Sequence, residues 1–510
     1  MSGFRRILVV GLDGATFDLL DRWFAAGELP FLGSMASGGV RAPLASVFPA
    51  KTIPAWYSFA TGLDPGALGI FGFTEPNGGP GKSRLVQTFR PAEAVWDRLS
   101  RVGRTVGVLN FPLRAGYPLN GFFVPGMLAD RAPTYPEDLT DAVEREIGER
   151  SVAELPPYRG ADHALWMDQA TRGADQRGRI AEILIRRFRP EFLFVLFRET
   201  DRVQHQLWDA LDQPLERVPD ELRRFWRTVD ASVGRIDGAF RAAGGPSTTL
   251  VISDHGHGAA RADFFTNRWL REEGYLRFRN GGDSLRRRLL SHALVGLDRV
   301  PGVKPILRYL ADQVRTSPRF ARVSGSITGP SNFEAMADDI DWETTVAFSY
   351  PVPEGIYLNR RNPRLTEAAQ AAVVAEIRRK LIAYPDARIE VFTPDEIYRT
   401  PRPRHAPALL IRVDGLETET RMDFSYPQPL LRRRPSFFYG SGVHRMNGIL
   451  LARGPGIAPR RYDTPFSLLD IAPTILDEMG LPSVASMTGR SLSPFLTGAP
   501  EPDEPIPAAG

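Results

Sequence analysis

Seven residues of the types that hold divalent cations or act as oxygen nucleophiles stand at informative places: Asp13, Thr52, Asp201, His205, Asp254, His255 and His444. Asp13 closes the apolar run Ile7–Val10, Asp201 stands four residues past Phe192–Phe197, and Asp254 and His255 directly follow Thr248–Ile252. Each of these runs reads as a buried strand, and open α/β sheets bind ligands at the carboxyl ends of their strands. Three strands thus deliver carboxylates to one edge. Asp201 and His205 are four apart, so on a helix they share a face and could chelate one ion. His444 adds an imidazole from the loop Gly442-Val443-His444-Arg445. Taken singly, each has an ordinary reading: a helix cap or turn for the aspartates, a solvated helix face for the Asp201/His205 pair, a surface loop for His444. Their joint occurrence points to a metal centre.

Thr52 lies between two prolines in Phe48-Pro49-Ala50-Lys51-Thr52-Ile53-Pro54, ahead of a helix expected to start near Pro54. A helix N-terminus offers backbone N–H groups and a positive dipole end, which suit a phosphate. Without metal ligands elsewhere, Thr52 would read only as an N-cap.

The elements that must position these residues alternate short apolar strands with amphipathic helices, the pattern of a largely parallel sheet covered on both faces. Strands are expected at Ile7–Val10, Val106–Asn110, Phe192–Phe197, Thr248–Ile252 and Gly448–Ala452, and helices over 15–26 and 467–479. The expected fold is a three-layer α/β/α sandwich with an inserted helical cap. Residues 1–279 and 425–497 form a discontinuous core and 280–345 a helical cap. Residues 346–424 form a smaller α/β unit or extra core strands, with a strand at Ile356–Leu358, a helix over 366–382 and a strand at Ala408–Val413. Residues 498–510 form a flexible tail.

Composition narrows the chemistry. There is no cysteine, which excludes thiolate zinc sites, disulfides and a cysteine nucleophile. A metal must therefore be held by carboxylates and the 7 histidines. Lys and Arg number 64 against 60 Asp and Glu, too small an excess for a face that binds duplex nucleic acid, whereas a small anionic ester suits it. No apolar run approaches the ~20 residues of a membrane span, and the run after Arg5-Arg6 is too short for a signal peptide, so cytoplasm is the expected location. The basic segment 285–310 suggests contact with a membrane surface. Oligomeric state is not legible in the sequence.

Five blocks together resemble the alkaline phosphatase superfamily, in its type I phosphodiesterase/nucleotide pyrophosphatase-like branch: Val9–Gly14, Phe48–Pro54 with Thr61-Gly62, Asp201-x-x-x-His205, Ser253–Gly258 and Gly442–His444. The resemblance implies two divalent ions, usually zinc, with manganese or iron compatible. One would be held by Asp13, Asp254, His255 and Thr52, the other by Asp201, His205 and His444. It further implies that Thr52 attacks phosphorus and that water then hydrolyses a phospho-Thr52 intermediate. Three carboxylates against two divalent ions leave a net positive centre, which attracts a phosphate ester.

The match is imperfect around substrate. An Asn common past the Thr-Gly block is missing from Gly69–Phe73, and Leu68 stands where a His is common. The chain looks more like a phosphohydrolase or phosphomutase subgroup, through blocks such as Glu354–Asn359 and His444–Gly448. Asn110, Trp56, Phe73 and Arg445 are candidate substrate contacts, with Phe71, Phe438, Tyr439 and Arg432–Arg434 further options. His257 is expected near the site, and His163, His292 and His405 are expected to be structural or on the surface. The leading expectation is a two-metal phosphodiesterase or phosphomonoesterase. A phosphomutase or phosphotransferase is the alternative, and a non-catalytic phosphate-binding relative is a third reading. A sulfatase is disfavoured, since position 52 is not Cys or Ser.

Overall fold

The computed structural model describes residues 6–77, 81–86, 92–126, 132–151, 155–158, 162–279, 333–400, 403, 405–424, 430–433 and 440–498. Its main sheet is built from β1 (Arg6–Leu12), β2 (Val40–Ala45), β3 (Val106–Pro112), β4 (Gly121–Gly126), β5 (Phe192–Phe197), β6 (Ser247–Ile252) and β7 (Asn447–Arg453), with short edge strands Arg460–Arg461 and Phe466–Ser467. From β2 inward the order is β2-β7-β6-β1-β5-β3-β4. The five strands β6 to β4 run parallel, and β7 is antiparallel to both β6 and β2.

The central strands are buried along their whole length, as parallel strands covered on both faces must be. Their side chains alternate between two cores: Ile7 and Val9 enter one, Leu8, Val10 and Leu12 the other. The second core is covered by α1 (Phe17–Ala25), α3 (His163–Phe188) and α5 (Asp220–Ala242), and the first by α2 (Thr52–Thr61) with helices Val95–Arg101 and Ile471–Glu478. Between α3 and α5, α4 (Glu199–Leu211) follows β5 after a single residue. The architecture is the expected three-layer α/β/α sandwich.

Two of the seven main strands of this sheet were not anticipated. β2 carries Pro43, which ordinarily argues against a central strand. Its outer neighbours pair only at Val40–Arg41 and Leu44–Ala45, so Pro43 falls in the gap between them and costs no hydrogen bond on that side. β4 is an edge strand carrying Pro125.

A third core gathers the smaller unit: a four-stranded antiparallel sheet from Ala347–Phe348, Gly355–Leu358, Leu409–Val413 and Ile389–Phe392, against helix Glu367–Ile382. Phe333, Met336 and Ile340 pack into this same core, as do Trp269, Leu270 and Tyr275, so 333–345 is continuous in packing with 346–424. The rest of the expected cap, 280–332, including the basic segment 285–310, lies outside the described residues, as does the tail beyond 498. Among the described residues, no helix is long and apolar enough to cross a membrane.

Gly11, in the middle of β1, shows how tightly the sheet meets α2. A Cβ there would lie 2.6 Å from Trp56 Cη2 and 2.8 Å from Leu196 Cδ1. Neither group can swing aside in a packed core, so Gly11→Ala is expected to destabilise the protein by about 1–3 kcal/mol. A lower thermal midpoint checks this; an unchanged midpoint would show that the layers repack without strain.

Candidate metal centre

The carboxyl ends of β1, β5 and β6 meet at one point, and backbone hydrogen bonds lock the loops that leave them. Asp13 N–H donates to Phe197 O (3.0 Å), and Thr200 Oγ1 lies 2.7 Å from Asp13 O and 2.9 Å from Phe197 O. Gly14 turns the chain in the left-handed region (φ 69°), donates to Asp254 Oδ1 (3.2 Å) and accepts from Gln204 Nε2 (3.0 Å). A Cβ on Gly14 would sit 2.6 Å from His257 Nδ1, so conformation and space both require glycine here. Ser253 Oγ donates to Ala15 O and accepts from Ile449 N–H, tying the β6 loop to β1 and β7. A two-stranded ribbon, Gly256–Ala259 against Gly442–Arg445, places His444 opposite His257.

Three histidines share one hydrogen-bonding pattern. His205 Nδ1 faces Gly442 O (3.0 Å), His255 Nδ1 faces Gly256 O (3.1 Å) and His444 Nδ1 faces Ala50 O (2.6 Å). Carbonyls only accept, so each Nδ1 carries the proton and each Nε2 presents a lone pair, the arrangement of metal-binding imidazoles. The Nε2 atoms of His205 and His444 stand 2.8 Å apart, and His444 Nε2 is 3.3 Å from Asp201 Oδ1. His255 Nε2 is 3.2 Å from Asp254 Oδ2 and 3.7 Å from Asp13 Oδ1.

Asp13 Oδ1, Asp201 Oδ1, Asp254 Oδ2, His255 Nε2 and both nitrogens of His257 are buried without a hydrogen-bond partner. Buried lone pairs left facing one another are costly, and cations among them engage the carboxylate oxygens and one nitrogen of each imidazole. Two groups have ligand atoms within 4.8 Å of one another: Asp201, His205, His257 and His444, and Asp13, Asp201 and His255. The residues present therefore fit a metal. Asp201 stands between the two groups, and His257 belongs to one of them, closer in than the sequence suggested. Its signal was the repeat Asp254-His255-Gly256-His257, whose alternation along a strand returns a second imidazole to the same side.

Electrostatics agree. Burial, then the neighbouring carboxylates, pushes Asp254 well above the usual carboxylate range, and burial with Asp201 does the same to Asp13. Burial pushes His255, His257 and His444 well below the usual imidazole value, so they stay neutral at pH 7 with lone pairs available.

Thr52 is buried and opens α2, two residues before the expected start at Pro54. Its segment is pinned on both sides: Ala50 O accepts from His444, and Trp56 Nε1–H donates to Asp13 Oδ2 at 3.1 Å. The four residues named as substrate contacts fall in different environments. Trp56 is fully buried and orients Asp13. Asn110 is buried at a bulge with φ 68°, and its amide donates to Leu196 O (2.8 Å). The Arg445 guanidinium donates to the carbonyls of Leu416, Ala259 and His444. Phe73 is exposed. Of the further options, Phe71 packs against Tyr398 and His405, and Arg432 pairs with buried Asp263. Arg434, Phe438 and Tyr439 lie outside the described residues, as does His292. His163 pairs with Glu221 at 3.2 Å and His405 Nε2 bonds Gly69 O, both away from the centre.

Comparison with known proteins follows the same lines. The family model for type I phosphodiesterase / nucleotide pyrophosphatase matches residues 7–412. Phosphonoacetate hydrolase from Sinorhizobium meliloti 1021 is similar in structure. The complex with phosphonoformate has a TM-score of 0.56 and that with phosphonoacetate 0.53, each at 16% identity and covering 92% of this chain and 94% of the other. At that identity the likeness is one of fold. No curated protein matches this chain in sequence.

Two predictions follow from this geometry. With Asp13 and Asp254 raised, a divalent ion entering the metal-free site displaces protons from these carboxyls. The release grows as pH falls towards the raised carboxylate values and fades above them. Calorimetric zinc titrations in buffers of different ionisation enthalpy measure it, and buffer-independent heat would contradict it. Trp56→Phe keeps the ring and removes the donor to Asp13, so ion affinity should fall about 10–100-fold. Equilibrium dialysis of zinc checks this, and an unchanged affinity would assign Trp56 to packing alone.

Proposed function

The chain belongs to the type I phosphodiesterase/nucleotide pyrophosphatase family, metal-dependent enzymes that hydrolyse phosphoesters, and on that premise we propose that it works through a covalent phospho-Thr52 intermediate. The observation that carries this reading is the convergence of partnerless buried ligand atoms, hydrogen-bonded through His444 and Asp13 to the segment on either side of Thr52, which opens α2. Two ions, zinc by the donor set of three histidines and three carboxylates, would be held in two sets. Asp13, Asp254, His255 and Thr52 form one set, and Asp201, His205 and His444 the other, with His257 beside Asp201. Bound there, such ions supply Lewis-acid polarisation of a phosphoryl oxygen and favour the ionised hydroxyl.

The chain's own residues do the rest. Thr52 Oγ1 forms a bond to phosphorus as the bond to the leaving alcohol oxygen breaks. The N-terminal dipole of α2 favours the negative charge gathered there. The ties from His444 to Ala50 and from Trp56 to Asp13 hold Thr52 in register with the ligands, so attack needs little reorganisation. A water then attacks phosphorus, restores the Thr52 hydroxyl and releases phosphate or, from a diester, a phosphomonoester.

Thr52→Ala should cut turnover of nitrophenyl phosphate monoesters and diesters by at least about a thousandfold, with zinc still bound. Mass spectrometry of acid-quenched wild type should place a phosphoryl group on the peptide carrying Thr52. A variant that keeps its rate to within about tenfold would remove Thr52 from the mechanism. The ratio of diester to monoester turnover in the same assay separates the two substrate classes.

A further inference from the structure

Both ends of α2 are tied to the smaller α/β unit. Ahead of Thr52, the Tyr398 hydroxyl donates to Phe48 O at 2.7 Å, and Lys51 Nζ pairs with Glu354 Oε1 at 2.8 Å. Beyond the helix, Asp64 Oδ2 accepts from the Arg399 N–H at 3.0 Å and Asp64 Oδ1 from Thr400 Oγ1 at 3.1 Å. Tyr398, Glu354 and Asp64 are all buried. The groups that reach towards α2 are themselves fixed. Tyr398 follows the turn Pro394–Ile397, which Thr393 caps and whose Glu396 pairs with Arg378 at 2.8 Å. Glu354 O accepts from the Ile411 N–H at 2.8 Å, which holds that residue against strand Leu409–Val413. Gly66 lets Tyr398 come close, since a Cβ there would lie 2.7 Å from Tyr398 Cβ. Burial pushes the Tyr398 phenol well up, so it keeps its proton and stays a donor.

We propose that Tyr398 and Glu354 are positioning residues for the nucleophile: acting through Phe48 and Lys51, they fix the approach of Thr52 to phosphorus. The inference rests on the phospho-Thr52 reading above and deepens it by giving the smaller unit a part in the reaction. The placing of the ties supports it. From the metal centre, the segment ahead of Thr52 is held at Ala50, by His444. One anchor leaves a segment free to turn about it. The ties at Phe48 and Lys51 come from a second part of the fold and flank that anchor, so three points define where the next residue stands. Docking of the two units does not account for them, because Arg399 and Thr400 already bind Asp64 at the far end of α2. Glu354 belongs to neither ligand group, and Tyr398 bonds a backbone carbonyl, so the pair acts on the nucleophile's segment and not on the ions. A nucleophile displaced by about 1 Å can lose on the order of a hundredfold in rate, which gives such anchors their value.

The test reads the position of Thr52 both with and without turnover. On zinc-loaded protein, kcat and KM for nitrophenyl phosphate are measured beside the affinities for orthovanadate and inorganic phosphate. Vanadate takes a fifth oxygen from an attacking hydroxyl and so mimics the transition state, whereas phosphate does not. Tyr398→Phe and Glu354→Gln should each lower kcat, and the vanadate-to-phosphate affinity ratio, by about tenfold or more, with KM and bound zinc unchanged. Tyr357→Phe is the control: it deletes a second buried phenol hydroxyl of the same unit, one with no hydrogen-bond partner among the described residues. It should leave kcat and the ratio at their wild-type values. A fall of the same size in Tyr357→Phe, or a fall in kcat matched by lost zinc, reduces the two residues to structural supports and overturns the proposal. So does a ratio unmoved in both Tyr398→Phe and Glu354→Gln while Thr52→Ala collapses it, an outcome that spares the covalent reading. A ratio that Thr52→Ala itself leaves unchanged removes the covalent reading, and this inference with it.

Discussion

Everything in this structure answers to one electrostatic problem: three carboxylates and four imidazoles stand within a few ångströms of one another with lone pairs converging. Nδ1 of three of the histidines is already engaged with a backbone carbonyl, so without an ion the strain is eased only by proton uptake on Asp13 and Asp254. The fold holds these groups in place against their mutual repulsion, and a cation reverses the sign of the interaction. A phosphate ester is the natural third party, since a centre that needs positive charge to exist can carry enough of it to hold an anion.

The scaffold meets this demand with distant pieces of chain. β1, β5 and β6 lie side by side and end at the same edge, so Asp13, Asp201 and Asp254 meet although they are far apart in sequence. Contacts below the centre then remove the remaining freedom. Thr200 and Gln204 hold the Asp13–Gly14 turn from α4, the same helix that carries Asp201 and His205. Trp56 holds the Asp13 carboxylate from α2, the helix that Thr52 opens. The Asp13 turn and Thr52 are therefore held by the same two helices.

Much of this was legible in the sequence. The strands named from short β-branched runs are present with ends shifted by a residue or two, because a parallel strand buried on both faces can only be a continuous apolar run. Acidic residues at strand ends were legible for the same reason. What was not legible depended on neighbours. Pro43 hides β2 unless the gap between its short partners is known. Asn110 and Trp56 looked like pocket residues by type, yet one amide is engaged by the Leu196 carbonyl and one indole by a carboxylate beneath the site. Arg445 looked like an anion contact, but Gly258 leaves room for its guanidinium to reach backbone carbonyls. Position along the chain says where a side chain starts, and only packing says where it ends.

The place of β7 has a consequence for how the protein comes into being. This strand, from near the end of the chain, lies between β2 and β6, and the neighbouring ribbon supplies His444. A chain leaving the ribosome therefore exposes an open slot between β2 and β6 until β7 has been made. The last imidazole arrives together with the strand that fills that slot. Synthesis order thus joins the filling of that slot and the arrival of His444 in a single event.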